Sequence, residues 1–407
     1  MSATIHLRAR YVFPVEGDPI DWGVVSIEGG RIAAVGAGAA GGEVEDLGNV
    51  ALLPGLINAH AHLDLAALPR PIGPAGIGFV DWLREVIALG TRTEGTSIAH
   101  GAAEALQSGT TLLVDIAQPQ PGEDLPASAG ELLAPAPAIL SLLELIGPTA
   151  ERAQAAMERA EGFLFASGRP RPGRGLAPHA PYTVRPELLD HTVGLCAAAG
   201  ATLAMHLAES AEEIEWLHDG GGPLADLLAE RGIDAAALAI GPRPLDYLRR
   251  LQRAGRVLVV HGNYLDEEEI AFLAARAERM AVVCCPRTHA HFGHRRDPLE
   301  AMLAAGVGVV LGSDSRASAP DLDMLAELRF AARRHPRIAP PQLLAMATLE
   351  AARALGLAGR RGSIVPGKRA DLVAVELPAR EGDPHQLLLD ESSAVCGVWL
   401  GGSPAPR

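Results

Sequence analysis

Through the middle of the chain, short apolar runs alternate with helix-length amphipathic segments, the rhythm of βα units feeding a parallel sheet. Eight runs stand out: Val50–His62, Thr110–Ile116, Ala138–Leu145, Gly175–His179, Thr202–His206, Val257–His261, Ala281–Cys285 and Val307–Asp314. Their apolarity is nearly continuous, which predicts strands buried on both faces. Between them, Phe79–Leu89, Thr96–Gln107, Arg185–Ala199, Asp266–Ala277 and Asp321–Arg334 predict helices. Eight strands separated by helices predict an α/β chain closed into a (β/α)8 barrel of TIM type, not an open sheet.

The two ends of the chain read differently. Ile5–Phe13, Gly23–Ile27, Arg31–Val35, the run from Gly362 to Val375 and Ala394–Leu400 all predict short strands. Neither set is large enough to fold alone. Pairing between them predicts a small discontinuous β-sandwich domain, residues 1–53 and 363–407, with the catalytic barrel, residues 54–362, inserted into it.

Composition narrows the class. Apolar residues make up 48% and charged residues 21% of the 407, which excludes a disordered or collagen-like chain. A net charge of −14 makes a poor partner for nucleic-acid backbones or anionic lipid. No nucleic-acid or membrane partner is expected, and a homodimer stays open. Cys196, Cys284, Cys285 and Cys396 form no paired framework, and the N-terminus carries no apolar signal run. A cytoplasmic enzyme acting on a small-molecule substrate is the expectation.

Chemistry gathers where the predicted strands stop, the face on which barrel enzymes build their sites. These strand ends carry His60 and His62, His179, His206, His261 and Asp314. His60 and His62 are two apart, so on a strand they share a face. With His206 and Asp314 they make a nitrogen and oxygen donor set without thiolate. Such a set suits one divalent metal ion, Zn2+ first, with Fe2+ or Mn2+ as alternatives. An ion of that kind lowers the pKa of water from about 15.7 toward about 7. Glu209 follows His206 by three residues, at the turn from strand to loop, and is placed to shuttle protons. His261 is then expected to assist catalysis by hydrogen bonding, without binding the ion.

The stretches Leu53-Pro-Gly-Leu-Ile-Asn-Ala-His60-Ala-His62, His206-Leu-Ala-Glu209, strand-end His261, Gly312-Ser-Asp314 and Gly362-x-Ile-x-Pro-Gly-Lys-x-Ala-Asp-Leu together resemble the amidohydrolase superfamily. Two-metal members commonly bridge their ions with a carboxylated lysine at a barrel strand. The single lysine here, Lys368, is in the C-terminal run, so the chain resembles the mononuclear deaminase branch. That resemblance implies a metal on His60, His62, His206 and Asp314, with Glu209 and His261 handling protons and Asp314 shared between both roles.

The loop Cys285-Pro-Arg-Thr-His-Ala-His-Phe-Gly-His294, with Leu143-Glu144-x-Ile-Gly and Phe79-x-x-Trp82-Leu, looks most like the aminodeoxyfutalosine deaminases of menaquinone synthesis. Deamination of that aminopurine nucleoside is the leading expectation, ahead of methylthioadenosine, S-adenosylhomocysteine or adenosine. Rival readings are a chlorohydrolase or other hydrolase of a nitrogen heterocycle, and a non-catalytic barrel scaffold. Expected substrate contacts are His179, Glu144, Arg287, His289 and Trp82. Each has a structural alternative: a core histidine, a buried acid, a solvated loop charge, or a core aromatic. Asp64 is a further candidate for a ribose hydroxyl, and Arg316 shares with Arg287 the expected pairing to a substrate carboxylate.

Overall fold

The computed structural model describes residues 4–38, 42–90, 96–118, 136–171 and 173–406. Eight parallel strands form one sheet: β1 (Leu56–Ala61), β2 (Thr110–Ala117), β3 (Ala138–Leu145), β4 (Arg174–Pro178), β5 (Leu203–Leu207), β6 (Val257–His261), β7 (Met280–Cys284) and β8 (Gly308–Leu311). Each pairs with its neighbour in sequence. The sheet closes where Ala61 bridges Asp314 and the Asp314 amide donates to the His60 carbonyl at 3.0 Å.

Every residue of β1, β2, β5, β6 and β7 is buried, which explains the absence of apolar-polar alternation in their sequences. Outward-facing residues such as Leu143, Met205, Val259 and Val282 share one core with the surrounding helices. Alternate residues, among them Val114, Leu142, Ala204, Leu258 and Val310, form a second cluster that fills the barrel.

The run Val50–His62 is two strands, not one. Val50–Pro54 pairs antiparallel with Leu372–Glu376 in a six-stranded sheet, and the barrel begins only at Leu56. Gly55 is the joint: a Cβ there would meet Thr111 Oγ1 at 2.0 Å, so no other residue lets the chain cross so close to β2. A four-stranded sheet built from Ile5–Arg8, Val24–Glu28, Arg31–Gly36 and Val44–Asp46 packs with it through Leu7, Val25, Ile27, Leu52, Leu372 and Trp399. Several acids expected inside helices instead cap them. Asp266 and Asp323 accept the first-turn amides of Glu267–Ala274 and Met324–Arg334. Among the described residues, no helix is long and apolar enough to cross a membrane.

Candidate metal centre and cavity

The C-terminal strand ends deliver their polar residues to one point. The nearest ring nitrogens of His60, His62 and His206 lie within 4.8 Å of one another, as do donor atoms of His60, His261 and Asp314. Asp314 Oδ1 is 3.4 Å from His60 Nε2 and 3.7 Å from His62 Nε2. His60 is shared by both groups and fully buried, and neither of its ring nitrogens has a hydrogen-bond partner. Buried polar atoms are seldom left so. A cation among these donors resolves that deficit, and the residues fit one.

Protonation points the same way. Burial and the neighbouring rings push His62 down to about 3, and burial likewise brings His261 to about 3 and His179 to about 4. These imidazoles are neutral at neutral pH, the form that binds metal. His206 is also held well below the usual range, by burial and then by its histidine neighbours. Its Nδ1 lies 3.0 Å from the His179 carbonyl. A carbonyl only accepts, so Nδ1 carries the proton and Nε2 is free for an ion.

Local backbone geometry aims these groups. His261 and Asp314 have φ of +71° and +61°, left-handed values rare outside glycine that turn each side chain sharply at its strand end. The Asp314 carboxylate is fixed by the Ser315 amide at 2.8 Å and by Ser318 Oγ at 3.1 Å. Asn58 ties β1 to the loop after β8, donating to Ser313 Oγ at 2.7 Å and accepting from the Ser313 amide.

Glu209 is buried, its Oε1 3.4 Å from His261 Nε2. Burial, then the charges of Asp314 and Glu213, push its carboxyl well above the ordinary range. The backbone beneath it is held from below. Glu213 accepts the amides of Ala208 and Glu209 at 2.8 and 2.9 Å, and Asn263 donates to the Glu209 carbonyl. Glu213 reads in the sequence as a helix-start acid; the signal was its spacing from Ser210, which caps the same helix in an S-x-x-E pattern.

A cavity of about 370 Å³ opens above this centre. His62, His206, Glu209, His261 and Asp314 line its floor, and Leu83, Val86, Ile87, Leu224 and Leu227 form an apolar wall. Trp82, Glu144 and His179 also line it. Trp82 Nε1 donates to the Ala317 carbonyl at 2.9 Å, which fixes the indole. Thr183 Oγ1 donates to the Ala180 carbonyl and so accepts from His179 Nδ1 at 2.8 Å; His179 Nε2 then faces Glu144 Oε1 at 3.9 Å. Glu144 accepts a short hydrogen bond from Gln118, and Asp64, also on the cavity, keeps a buried Oδ1 without a partner.

Two expected contacts lie elsewhere. Cys285 through Phe292 is not a loop: Pro286–Phe292 is a helix with Cys285 at its N-cap, and that turns Arg287 and His289 away from the cavity. Arg287 reaches Glu327 at 2.6 Å, Asp321 at 2.7 Å and the carbonyls of Asp321 and Asp323, so its guanidinium is spent. His289 Nε2 meets the Arg296 carbonyl at 2.6 Å. Arg316 is likewise bound to Glu104 and the Leu68 carbonyl. The arginines that do line the cavity are Arg152 and Arg231, neither singled out by a motif.

Comparison with known proteins agrees with this architecture. The model of the Amidohydrolase family matches residues 51–404. A 5-methylthioadenosine/S-adenosylhomocysteine deaminase of Moorella thermoacetica is 32% identical over 90% of this chain and 84% of its own length. An aminodeoxyfutalosine deaminase of Deinococcus radiodurans is 31% identical over 77% of this chain and 75% of its own. Among solved structures, a zinc-bound adenosine deaminase from Xanthomonas campestris superposes with a TM-score of 0.73 at 28% identity, covering 98% of this chain and 92% of that one. Helicobacter pylori aminofutalosine deaminase, at 22% identity, shares the fold with a TM-score of 0.81 over 99% of this chain and all of its own. The chain belongs to the amidohydrolase family and is a hydrolase acting on C–N bonds other than peptide bonds.

Proposed function

We propose that this protein hydrolytically deaminates an aminopurine nucleoside, converting an exocyclic C–NH2 to a carbonyl with release of ammonia. The observation that carries the reading is Glu209, buried and 3.4 Å from His261 Nε2, at the floor of a cavity with an apolar wall on one side. One divalent ion, Zn2+ by the chemistry of its donors, would be held by His60, His62, His206 and Asp314 and would supply Lewis-acid activation of water. Glu209 takes one proton from the attacking water and gives it to the ring nitrogen, then takes the second from the resulting hydroxyl and gives it to the departing amine, which leaves the carbonyl and ammonia. His261, neutral and pinned at its strand end, orients the attacking oxygen through Nε2.

The apolar wall and Trp82 accept a purine face, and Glu144 and Asp64 are placed to accept sugar hydroxyls. Arg152 and Arg231 line the same cavity and pair with no carboxylate among the described residues. Their presence supports a nucleoside whose sugar-side extension ends in a carboxylate, and so supports aminodeoxyfutalosine over methylthioadenosine and adenosine. The relatives' names at about 30% identity support both aminodeoxyfutalosine and methylthioadenosine/S-adenosylhomocysteine. The test is kcat/KM for ammonia release from aminodeoxyfutalosine, methylthioadenosine, S-adenosylhomocysteine, adenosine, guanine and an aminated triazine. Aminodeoxyfutalosine should lead. A preference for guanine or the triazine would refute the nucleoside reading and leave the aminohydrolase chemistry standing.

A further inference from the structure

A second cavity lies away from the histidines. A cavity of about 950 Å³ lies at the opposite, N-terminal end of the barrel, where the starts of β2 to β4 and the residues preceding β5 and β6 meet the turns of the small sheets. Barrel chemistry sits at the other end, so this cavity is no entrance to the catalytic floor. Its lining is unusual for a chain with a net charge of −14. Arg171, Arg174, Arg256, Arg360, Arg361 and Arg369 face it together with Arg31, and among the described residues no Asp or Glu lines it.

One carboxylate stands behind this group. Asp371 pairs with Arg361 and, at 2.8 Å, with Arg369, and also accepts the Gly401 amide. Arg31 is spent on the Gly367 carbonyl, and Arg174 on the Phe163 carbonyl and ring. Arg171, Arg256 and Arg360 have no carboxylate partner among the described residues. Arg171 also has a buried Nε without a hydrogen-bond partner. Arg256 is packed against Gly356, where a Cβ would meet its Nη2 at 2.1 Å, so its position is set by shape and not by charge.

The guanidinium groups stand together on a lining that carries no Asp or Glu among the described residues. Burial and then Arg171 depress Arg174; Arg361 is depressed chiefly by burial, with Arg369 adding to it. Three unpartnered guanidinium forks offer roughly three positive charges in the geometry that phosphate oxygens match. Leu112, Ile139, Leu140, Leu355 and Leu357 add an apolar wall beside them. Gly30 and Gly401, at φ of +78° and +56°, bring bare backbone to the rim.

We propose that this cavity is a second binding site, for a nucleoside di- or triphosphate: the arginines take the phosphoryl groups and the leucine wall takes the ring. Its volume falls in the range of small-molecule sites. The site is separate from the aminohydrolase centre and does not depend on which substrate that centre takes.

Isothermal titration of the full-length protein should show saturable binding of ADP and ATP, and of pyrophosphate and tripolyphosphate, which lack a base and cannot occupy a nucleoside cavity. Sulfate at equal ionic strength should bind at least ~10-fold more weakly, since it offers one anionic centre to several forks. Arg256→Gln and Arg360→Gln should each weaken ATP and tripolyphosphate by ~10-fold or more while leaving deaminase turnover unchanged. Arg360→Lys, which keeps the charge and loses the fork, should fall between; it serves as the reference if a glutamine variant fails to fold. Absence of saturable binding at millimolar concentration, or ATP and tripolyphosphate affinities indifferent to Arg256→Gln and Arg360→Gln, overturns the proposal. So does tighter binding of a single-stranded oligonucleotide than of ATP, which would make the patch a nucleic-acid surface.

Discussion

His60 and Asp314 meet across the seam of the barrel. Asp314 Oδ1 lies 3.4 Å from His60 Nε2, and the Asp314 amide donates to the His60 carbonyl. The same pair closes the sheet and joins the donor groups. Gly312 makes this approach feasible, since a Cβ there would meet His60 Cβ at 2.8 Å.

One equivalent of metal per chain is therefore expected. His60 is common to both donor groups, so His60→Ala should lose most of the metal on elemental analysis, and His206→Ala should do the same. His261→Asn should lose rate with less loss of metal. Two tightly held equivalents, both sensitive to these substitutions, would contradict a mononuclear centre.

Glu209→Gln should keep fold and metal while kcat falls about a hundredfold or more, because proton transfer and not binding is removed. Glu213 acts through the backbone amides of Ala208 and Glu209. Glu213→Ala should lower kcat and also destabilise the protein, whereas Glu213→Gln, which still accepts one amide, should recover part of both. Turnover near wild type in metal-loaded Glu209→Gln would remove it from the mechanism.

Much of the centre is legible in the sequence because imidazole and carboxylate at the end of an apolar run are out of place there. His60, His62, His206, His261 and Asp314 converge for the reason that the strands carrying them are parallel and in step. Supporting residues are less legible. Asn58 and Ser318 act through pairings with residues 255 and 4 positions away that no local pattern announces. The single run Val50–His62 hid a change of sheet because both halves are equally apolar, and only Gly55 marks the break. Arg287 is hard to place from sequence for a different reason. The strand before it ends at Cys284 on the catalytic face, but Pro286 begins a helix, and that helix points the guanidinium at Glu327.

Arg287 should accordingly behave as a structural residue. Its side chain and that of Glu327 are 9% and 0% exposed. Removing one partner of a buried ion pair typically costs roughly 3–5 kcal/mol, since the other charge is left uncompensated. Arg287→Met should lower the unfolding free energy from denaturant titration by that order while leaving KM of the folded fraction within about twofold. A large KM change without loss of stability would return Arg287 to the substrate.

Glu144 gives a pH dependence with a definite sign. Burial pushes its carboxyl up to about 7, Asp115 adding to the shift and Gln118 opposing it. An unfolded glutamate titrates near 4.3, so between about 4.3 and 7 the folded chain holds a proton that the unfolded chain has lost. Stability from this group is therefore fully present below about 4.3 and is lost as pH rises through about 7, of order 3 kcal/mol in all. Glu144→Gln mimics the protonated form and cannot titrate. Urea midpoints of the two proteins should nearly agree at pH 4, and the variant should be the more stable at pH 8. Hydroxyl recognition should move the opposite way, because the ionised carboxylate is the better acceptor: KM of the wild type should improve from pH 6 to 8, and that of the variant should stay flat. Parallel stability curves for the two proteins from pH 5 to 8 would mean that Glu144 is ionised throughout, with the Gln118 hydrogen bond outweighing its burial.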